Sequence, residues 1–461
     1  MVVVVALVGG LFARWRIILV IATQLLFYGL PWISWNDRQA VLFDLIQRKF
    51  YIFGLVLWPQ DVIYLTLLLI LSALALFLFT AIAGRLFCGY ACPQTVYTEI
   101  FMWIERKVEG DRFSRIRLDG EEWPWGIRKW RLKVTKHFLW LLIAFWTGFT
   151  FIGYFTPITT LGSALMHLSL GPWQTFWLCF YAFATWGNAG FMREQVCKYM
   201  CPYARFQSVM VDKDTFLVTY DKVRGEPRGS RSKSADHASL GLGDCVDCSI
   251  CVQVCPTGID IRDGLQYMCI GCGACIDACD QVMEKVNYPK GLIRYTTERA
   301  IEDRESNQSA IRHILRPRVL IYTAFITVLT GAFLISLATR NPLRVDIMRD
   351  RGALAREVEG VRIENIYRIQ IMNASENNMN VQVKATGLDD LKILNSQGQV
   401  VTEIEVGPAS NLLIPVKVST TVGAHEPGNY PIHFDVIGQE MSGNEMITRT
   451  RDEKSSFIIP R

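Results

Sequence analysis

One cysteine spacing occurs twice in this chain and constrains it more than any other feature. Residues 245–256 read CVDCSICVQVCP, and residues 269–280 read CIGCGACIDACD. Both follow C-x2-C-x2-C-x3-C, the spacing of the bacterial ferredoxin run. Three closely spaced thiols wrap a tight loop around three corners of a cube. The fourth corner must be reached from a distant segment, so the two runs cross. This predicts one [4Fe–4S] cluster on Cys245, Cys248, Cys251 and Cys279, and a second on Cys269, Cys272, Cys275 and Cys255. Structural zinc also takes four cysteines, but zinc ribbons pair two C-x2-C knuckles and do not triple them. Gly258, Gly271 and Gly273 suit close backbone approach to a cluster. Pro256 follows the first run, whereas Asp280 follows the second.

The clusters sit in an apolar chain. Of 461 residues, 51% are hydrophobic, and they are bunched. Segments near 16–35, 62–84, 138–156, 173–192 and 318–338 are each long enough to cross a bilayer, which takes about 20 residues. Loop charges orient them. Residues 85–137 carry eleven Lys or Arg, and residues 157–172 carry none. Arg193, Lys198 and Arg205 follow the fourth segment, and Arg312, Arg316 and Arg318 border the fifth. Segments 85–137 and 193–317 are therefore expected in the cytoplasm, and 36–61, 157–172 and 339–461 outside it. Thirteen cysteines lie at or before position 279 and none after it. That agrees, because thiolate ligation suits the reducing side. The opening MVVVVALVGG is too short and poorly flanked for a cleaved signal peptide. The net charge of +5 is modest, and no nucleic-acid partner is expected.

Two further cysteine pairs repeat a pattern: FCGYACP holds Cys88 and Cys92, and CKYMCP holds Cys197 and Cys201. Each is expected at the cytoplasmic membrane edge. Cysteines four apart share a face if the backbone stays helical. Pro93 and Pro202 are tolerated in the first turn of a following helix, which reads as an amphipathic surface helix in both cases. Four such thiols can converge on one site. They are soft ligands for Cu(I), zinc or an iron–sulfur centre, or they cycle between dithiol and disulfide. The lone Cys179 reads as core packing. His137, His167 and His313 lie near spans but outside them, so no membrane haem is expected. No Gly-rich dinucleotide fingerprint follows a predicted strand, so the electron donor must lie elsewhere. The stretch 221–244 reads as a polar surface linker.

Beyond 339 the pattern changes. IYRIQIMN, MNVQVKAT, NLLIPVKVST and NYPIHFDVIG alternate apolar and polar residues, with turn signals between them. This predicts a β-sandwich of about seven strands. His425 and His433 fall in it and read as surface residues.

Taken in order, GRLFCGYACPQTVYTEIFMWIER, REQVCKYMCPYARFQ, YDKVRGEPRG and the double ferredoxin run resemble the FixG/RdxA/CcoG family of cytochrome oxidase accessory proteins. More distantly they resemble the NapH- and NosR-type polyferredoxins. The resemblance spans nearly the whole chain, departing at the start, where the family's soluble N-terminal arm has no counterpart. It implies a bacterial inner-membrane protein with a cytoplasmic ferredoxin domain and a periplasmic immunoglobulin-like domain. It also implies a cupric reductase that converts Cu(II) to Cu(I) for cbb3-type oxidase assembly. Oxidase subunits or copper-delivery proteins are then its partners. Cys88, Cys92, Cys197 and Cys201 become the copper or redox thiols. The alternatives are a quinol-linked relay to a soluble partner and a non-enzymatic assembly scaffold. The expected architecture is a multi-domain membrane protein. Residues 1–220 hold four helices of a five-helix transmembrane bundle. Residues 221–300 hold the linker and an inserted 2[4Fe–4S] ferredoxin-like domain. Residues 301–340 hold the fifth helix, and 341–461 a C-terminal immunoglobulin-like β-sandwich.

Overall fold

The computed structural model describes residues 9–232, 240–302, 315–350, 355–358, 361–401, 403–442 and 445–460. Arg312, His313, the first eight residues and 233–239 of the expected linker lie outside these. The chain divides into two units: Met1–Leu42 with Ile63–Phe333, and Phe43–Val62 with Leu334–Arg461.

Among the described residues, four helical stretches are long and apolar enough to cross a membrane: Leu11–Trp32, Pro59–Ala83, Ile127–Gly153 and Pro317–Ala338. The expected fifth, at 173–192, differs. Its α-helix is Pro172–Gly187, sixteen residues, which rises about 24 Å against a hydrocarbon core of about 30 Å. At Asn188 the chain leaves the α-helix for a π turn, Asn188–Met192. The side chain of Gln94 donates to the carbonyls of Asn188 and Arg193 at 2.9 and 3.1 Å, holding that turn. The helix Ile127–Gly153 also starts earlier than its apolar run, because its basic first third stays helical. His137 is therefore inside a candidate span, contrary to expectation. Cys179 is exposed on its helix and does not pack in a core.

The helix ends in the first unit sort into two sets. At the start of Leu11–Gly29, the backbone N–H groups of Phe12 and Ala13 donate to the Asp277 carboxylate at 3.3 and 2.8 Å. A carboxylate there satisfies orphan donors and complements the helix dipole. Arg16 pairs with Glu99 at 2.7 Å. At the other end, the Tyr154 hydroxyl donates to the Phe27 carbonyl, and Gln39 binds the backbone of Gly153 and Ile158. The ends expected on one side thus meet one another.

The ferredoxin segment has its own small core. Strand Leu217–Tyr220 pairs antiparallel with Ile293–Thr296. Val218, Tyr220, Ile261, Ile276, Met283 and Ile293 are buried together with Cys245 and Cys251. Part of the expected linker folds onto this core: Arg224 pairs with Asp244 and donates to the carbonyls of Pro289 and Lys290.

In the second unit, two antiparallel sheets face each other. One orders Lys392–Leu394, Asn411–Thr421, Arg362–Asn373 and Leu343–Arg349, with Arg356–Val358 also on Arg362–Asn373. The other orders Ile404–Val406, Met379–Thr386, Gly428–Ser442 and Glu445–Ile459. The sandwich thus has nine strands among the described residues, where periodicity suggested about seven; three of the nine are three-residue strands too short to show alternation. Period-two burial, as in Arg362–Asn373, makes the core. Tyr367 and Phe434 meet edge to face at 5.3 Å within it. The buried Asn365 side chain bonds both the N–H and the carbonyl of Ile458, joining the sheets. His433 lies at the surface, 2.8 Å from Asp452. Residues 43–62, which include the antiparallel strands Lys49–Ile52 and Leu55–Leu57, belong to this unit as well. Its fully buried Asp61 pairs with Arg340 at 2.5 Å and Arg344 at 2.9 Å.

Candidate metal centres at the membrane edge

Two cavities in the ferredoxin segment are lined by cysteines. One takes Cys245, Cys248, Cys251 and Cys279; the other takes Cys255, Cys269, Cys272 and Cys275, with Cys251 between them. Gly258, Gly271 and Gly273 have φ of 66°, 63° and 71°, a region other residues enter at a cost. At Gly273 a Cβ would strike the Phe12 ring. Asp280, standing where the first run has proline, accepts the Gly291 N–H at 2.8 Å. Burial pushes the Cys251 thiol up to about 11 and Cys269 and Cys279 up to about 12. Buried thiolates at such positions need a cationic centre to hold them. All thirteen cysteines are free of disulfides. Two linings that each offer four thiols and share Cys251 at their border fit two iron–sulfur cubes.

The two membrane-edge corners are built differently. Cys88 lies in a short helix, Leu86–Tyr90, and Cys92 is extended before Pro93 opens the helix Pro93–Glu109. Cys197 lies in a π turn, Val196–Met200, and Cys201 is extended before Pro202 and the helix Tyr203–Met210. Neither pair shares an α-helical face, because the chain breaks between its members. The helix after the first corner is no plain surface helix either, since it buries Glu105 and Glu109 along with Phe101 and Ile104.

Long-range contacts bring the corners together. Gln94 holds the backbone leading to the second corner, Tyr203 bonds Thr80 at 2.5 Å, and Gln207 reaches the Gly84 carbonyl. Burial pushes the Cys88 thiol up to about 11; the Arg85 guanidinium opposes this, and the nearby Cys92 and Cys197 thiols add to it. Cys197 is likewise pushed up to about 11 by burial, then by Cys92, with Cys201 adding a smaller rise. Among the described residues, no group of three or more His, Cys, Asp or Glu converges on a single-ion site.

The first corner packs directly on a ferredoxin loop. A Cβ at Gly89 would lie 2.8 Å from the Ile270 carbonyl oxygen and 3.0 Å from the Cys272 Cα. The Tyr90 hydroxyl donates to the Cys272 carbonyl, and Thr95 donates to the Cys88 carbonyl at 2.6 Å. Arg85 donates to the Tyr267 carbonyl at 2.7 Å. Cys88 shares one buried cluster with Ile270, Cys272 and Ala274. None of Gly89, Arg85 and Gln94 was singled out by sequence reasoning; the one local signal that could have found the first is a glycine lying between Cys88 and Cys92.

A family profile described as "4Fe-4S dicluster domain" matches residues 192–298. A "4Fe-4S binding domain" profile matches 65–109, and an "IG-like fold at C-terminal of FixG" profile matches 333–460. The chain is 35% identical to "Nitrogen fixation protein FixG" of Rhizobium meliloti, over 95% of this chain and 89% of that one. It is 41% identical to "Protein RdxB" of Cereibacter sphaeroides, over 84% and 82%. The crystal structure of a FixG-related protein from Vibrio parahaemolyticus aligns with 26% of this chain and 97% of its own, at 22% identity and a TM-score of 0.21. The protein carries two [4Fe–4S] clusters and transfers electrons, with apolar helices that make it a membrane protein. Over nearly its whole length, the chain belongs to the FixG/RdxA/RdxB family of iron–sulfur proteins.

Proposed function

We propose that this chain is a membrane-bound cupric reductase that converts Cu(II) to Cu(I) for assembly of a cbb3-type oxidase. Cys245, Cys248, Cys251 and Cys279 hold one cluster, and Cys269, Cys272, Cys275 and Cys255 the other. Bound there, the clusters supply single electrons. Copper is the substrate: each Cu(II) takes one electron and becomes Cu(I). Cys88, Cys92, Cys197 and Cys201 receive it, because soft thiolates favour Cu(I) over Cu(II).

The observation that carries this is the packing of Gly89 against the backbone of Cys272. It leaves no side chain between the first corner and a ferredoxin loop. Thr95 and Tyr90 fix the corner's backbone there, and Arg85 holds positive charge beside Cys88. The loop charges favour a cytoplasmic ferredoxin segment and a periplasmic C-terminal sandwich, with Pro172–Gly187 and its π turn as a fifth crossing. The sandwich offers a surface for oxidase or copper-delivery partners. A second reading is favoured by the iron–sulfur profile over 65–109, which includes Cys88 and Cys92: the four corner thiols hold a third iron–sulfur centre that relays electrons onward.

The test is the double variant Cys88→Ser, Cys201→Ser in anaerobically purified protein. Cupric reduction should fall to the rate of buffer alone while two clusters' worth of iron stays bound. Unchanged reduction would refute the thiol site. Loss of iron beyond that expected for the ferredoxin clusters would favour the third-centre reading.

A further inference from the structure

Next to the second corner lies a cavity of about 280 Å³ that the copper chemistry does not use. One wall is ionic. Glu105 pairs with Arg115 at 2.9 Å and with Arg193 at 2.6 Å; Lys136 reaches Glu109 at 2.9 Å. These side chains are all buried. The other wall is aromatic. The His137 ring stacks on Phe191 at 5.7 Å and 14°, and Trp140 stands edge-on to both. His137 Nδ1 is buried with no hydrogen-bond partner among the described residues.

Three facts narrow the ligand. The ionised lining is balanced, with Glu105, Glu109 and Asp119 against Arg115, Lys136 and Arg193. A free cation or a lone phosphate would gain nothing net from such a wall, whereas a neutral ring with polar ends is not penalised. The depth is that of the membrane surface, since the helix Ile127–Gly153 turns from IRKWRLKVTKH to FLWLLIAFW at His137. Finally, the aromatic wall continues outward through Trp186 to the exposed Phe183, with Phe191 4.8 Å from Trp186. That apolar strip offers a path for a hydrocarbon tail.

We propose that this cavity binds the headgroup of a membrane quinone. The ring lies against Phe191 and His137. Its oxygens meet the cationic side of the lining, Lys136, whose ammonium has three donors, and the Arg193 guanidinium. Arg193 lines this cavity and also the crevice that contains Cys197, Thr257 and Ile270. A quinone here therefore lies one side chain from the second thiol corner. Its purpose rests on the electron-transfer function proposed above; its binding does not.

The experiment uses the full chain, clusters oxidised and copper absent, in quinone-free phosphatidylcholine nanodiscs. Decylubiquinone is titrated against tryptophan fluorescence, and an azidoquinone photolabel is mapped by mass spectrometry. Quenching should saturate, and label competed by decylubiquinone should fall within 127–140 and 188–193. Phe191→Ala should weaken binding roughly tenfold, as expected for a lost aromatic stack. His137→Leu should also weaken it, and Phe113→Ala, on an exposed residue outside the cavity, should not. Iron content of each variant reports folding. Non-saturating quenching, scattered label, equal affinity in Phe191→Ala, or a phospholipid that quinone cannot displace would each overturn the proposal. Intact quinone binding in the Cys88→Ser, Cys201→Ser protein would separate this site from the copper reaction.

Discussion

The ferredoxin segment and the two membrane-edge corners both bring cysteines near one another, but by opposite means. In the ferredoxin segment the cysteines lie within 245–279, on tight loops opened by left-handed glycines and closed over their own core. At the corners, Cys88 and Cys197 are separated by the helices Pro93–Glu109, Ile127–Gly153 and Pro172–Gly187. They meet only because Gln94, Thr80, Tyr203 and buried ion pairs hold distant backbone together. The first arrangement is local and announces itself in spacing. The second is global, and its geometry is a property of the folded membrane domain.

The difference can be tested from either side. The largest effect should come from the ferredoxin side: Cys272→Ala removes a cluster ligand, so iron should fall to that of one cluster and cupric reduction should vanish. Full iron in that variant would break the assignment of Cys272. Gly89→Val comes next. Its side chain would meet Ile270 and Cys272 backbone at about 3 Å, which cannot yield cheaply. Reduction should fall at least tenfold, equivalent to about 1.4 kcal/mol of barrier, with iron unchanged; a loss of iron instead would mean that the corner supports the cluster loop rather than receiving electrons from it. Glu105→Gln should act on the corners more than on the ferredoxin segment. It removes the negative charge paired with two buried guanidinium groups, Arg115 and Arg193, a change worth about 3–5 kcal/mol. Thermal melting should shift down and Cys197 should become easier to alkylate, while the cluster absorbance melts later than the membrane domain. The smallest effect belongs to Cys179→Ala, where an exposed thiol is expected to change neither iron nor reduction.

Much of this was legible from residue order. The cysteine runs, the apolar stretches and the alternation of IYRIQIMN each reflect interactions within one loop, helix or strand, so each leaves a local trace. What failed to show depends on distant partners. Nothing near Asp61 reveals that Arg340 and Arg344 pair with it, within the unit that joins residues 43–62 to the C-terminal sandwich. Nothing in FYAFATWGNAGFM reveals the π turn at Asn188, because Gln94 enforces it from another helix. His137 looked like a loop residue since hydropathy stops at Phe138, yet the basic turns before it remain helical and pack on Glu105 and Glu109. Glu105 and Glu109 themselves resembled surface charges in WIERKVE; burial turned them into the frame of the second corner.

In the proposed reaction, electrons held in the ferredoxin segment reach copper through the corner thiols. EPR of anaerobically reduced protein titrated with Cu(II) follows both ends of that transfer at once. The reduced-cluster signal should disappear in step with added Cu(II), with no Cu(II) signal accumulating until the clusters are oxidised, and Cys88→Ser with Cys201→Ser should keep both signals side by side. Coexisting reduced clusters and Cu(II) in the unaltered protein, or rapid loss of both signals in the double variant, would contradict it.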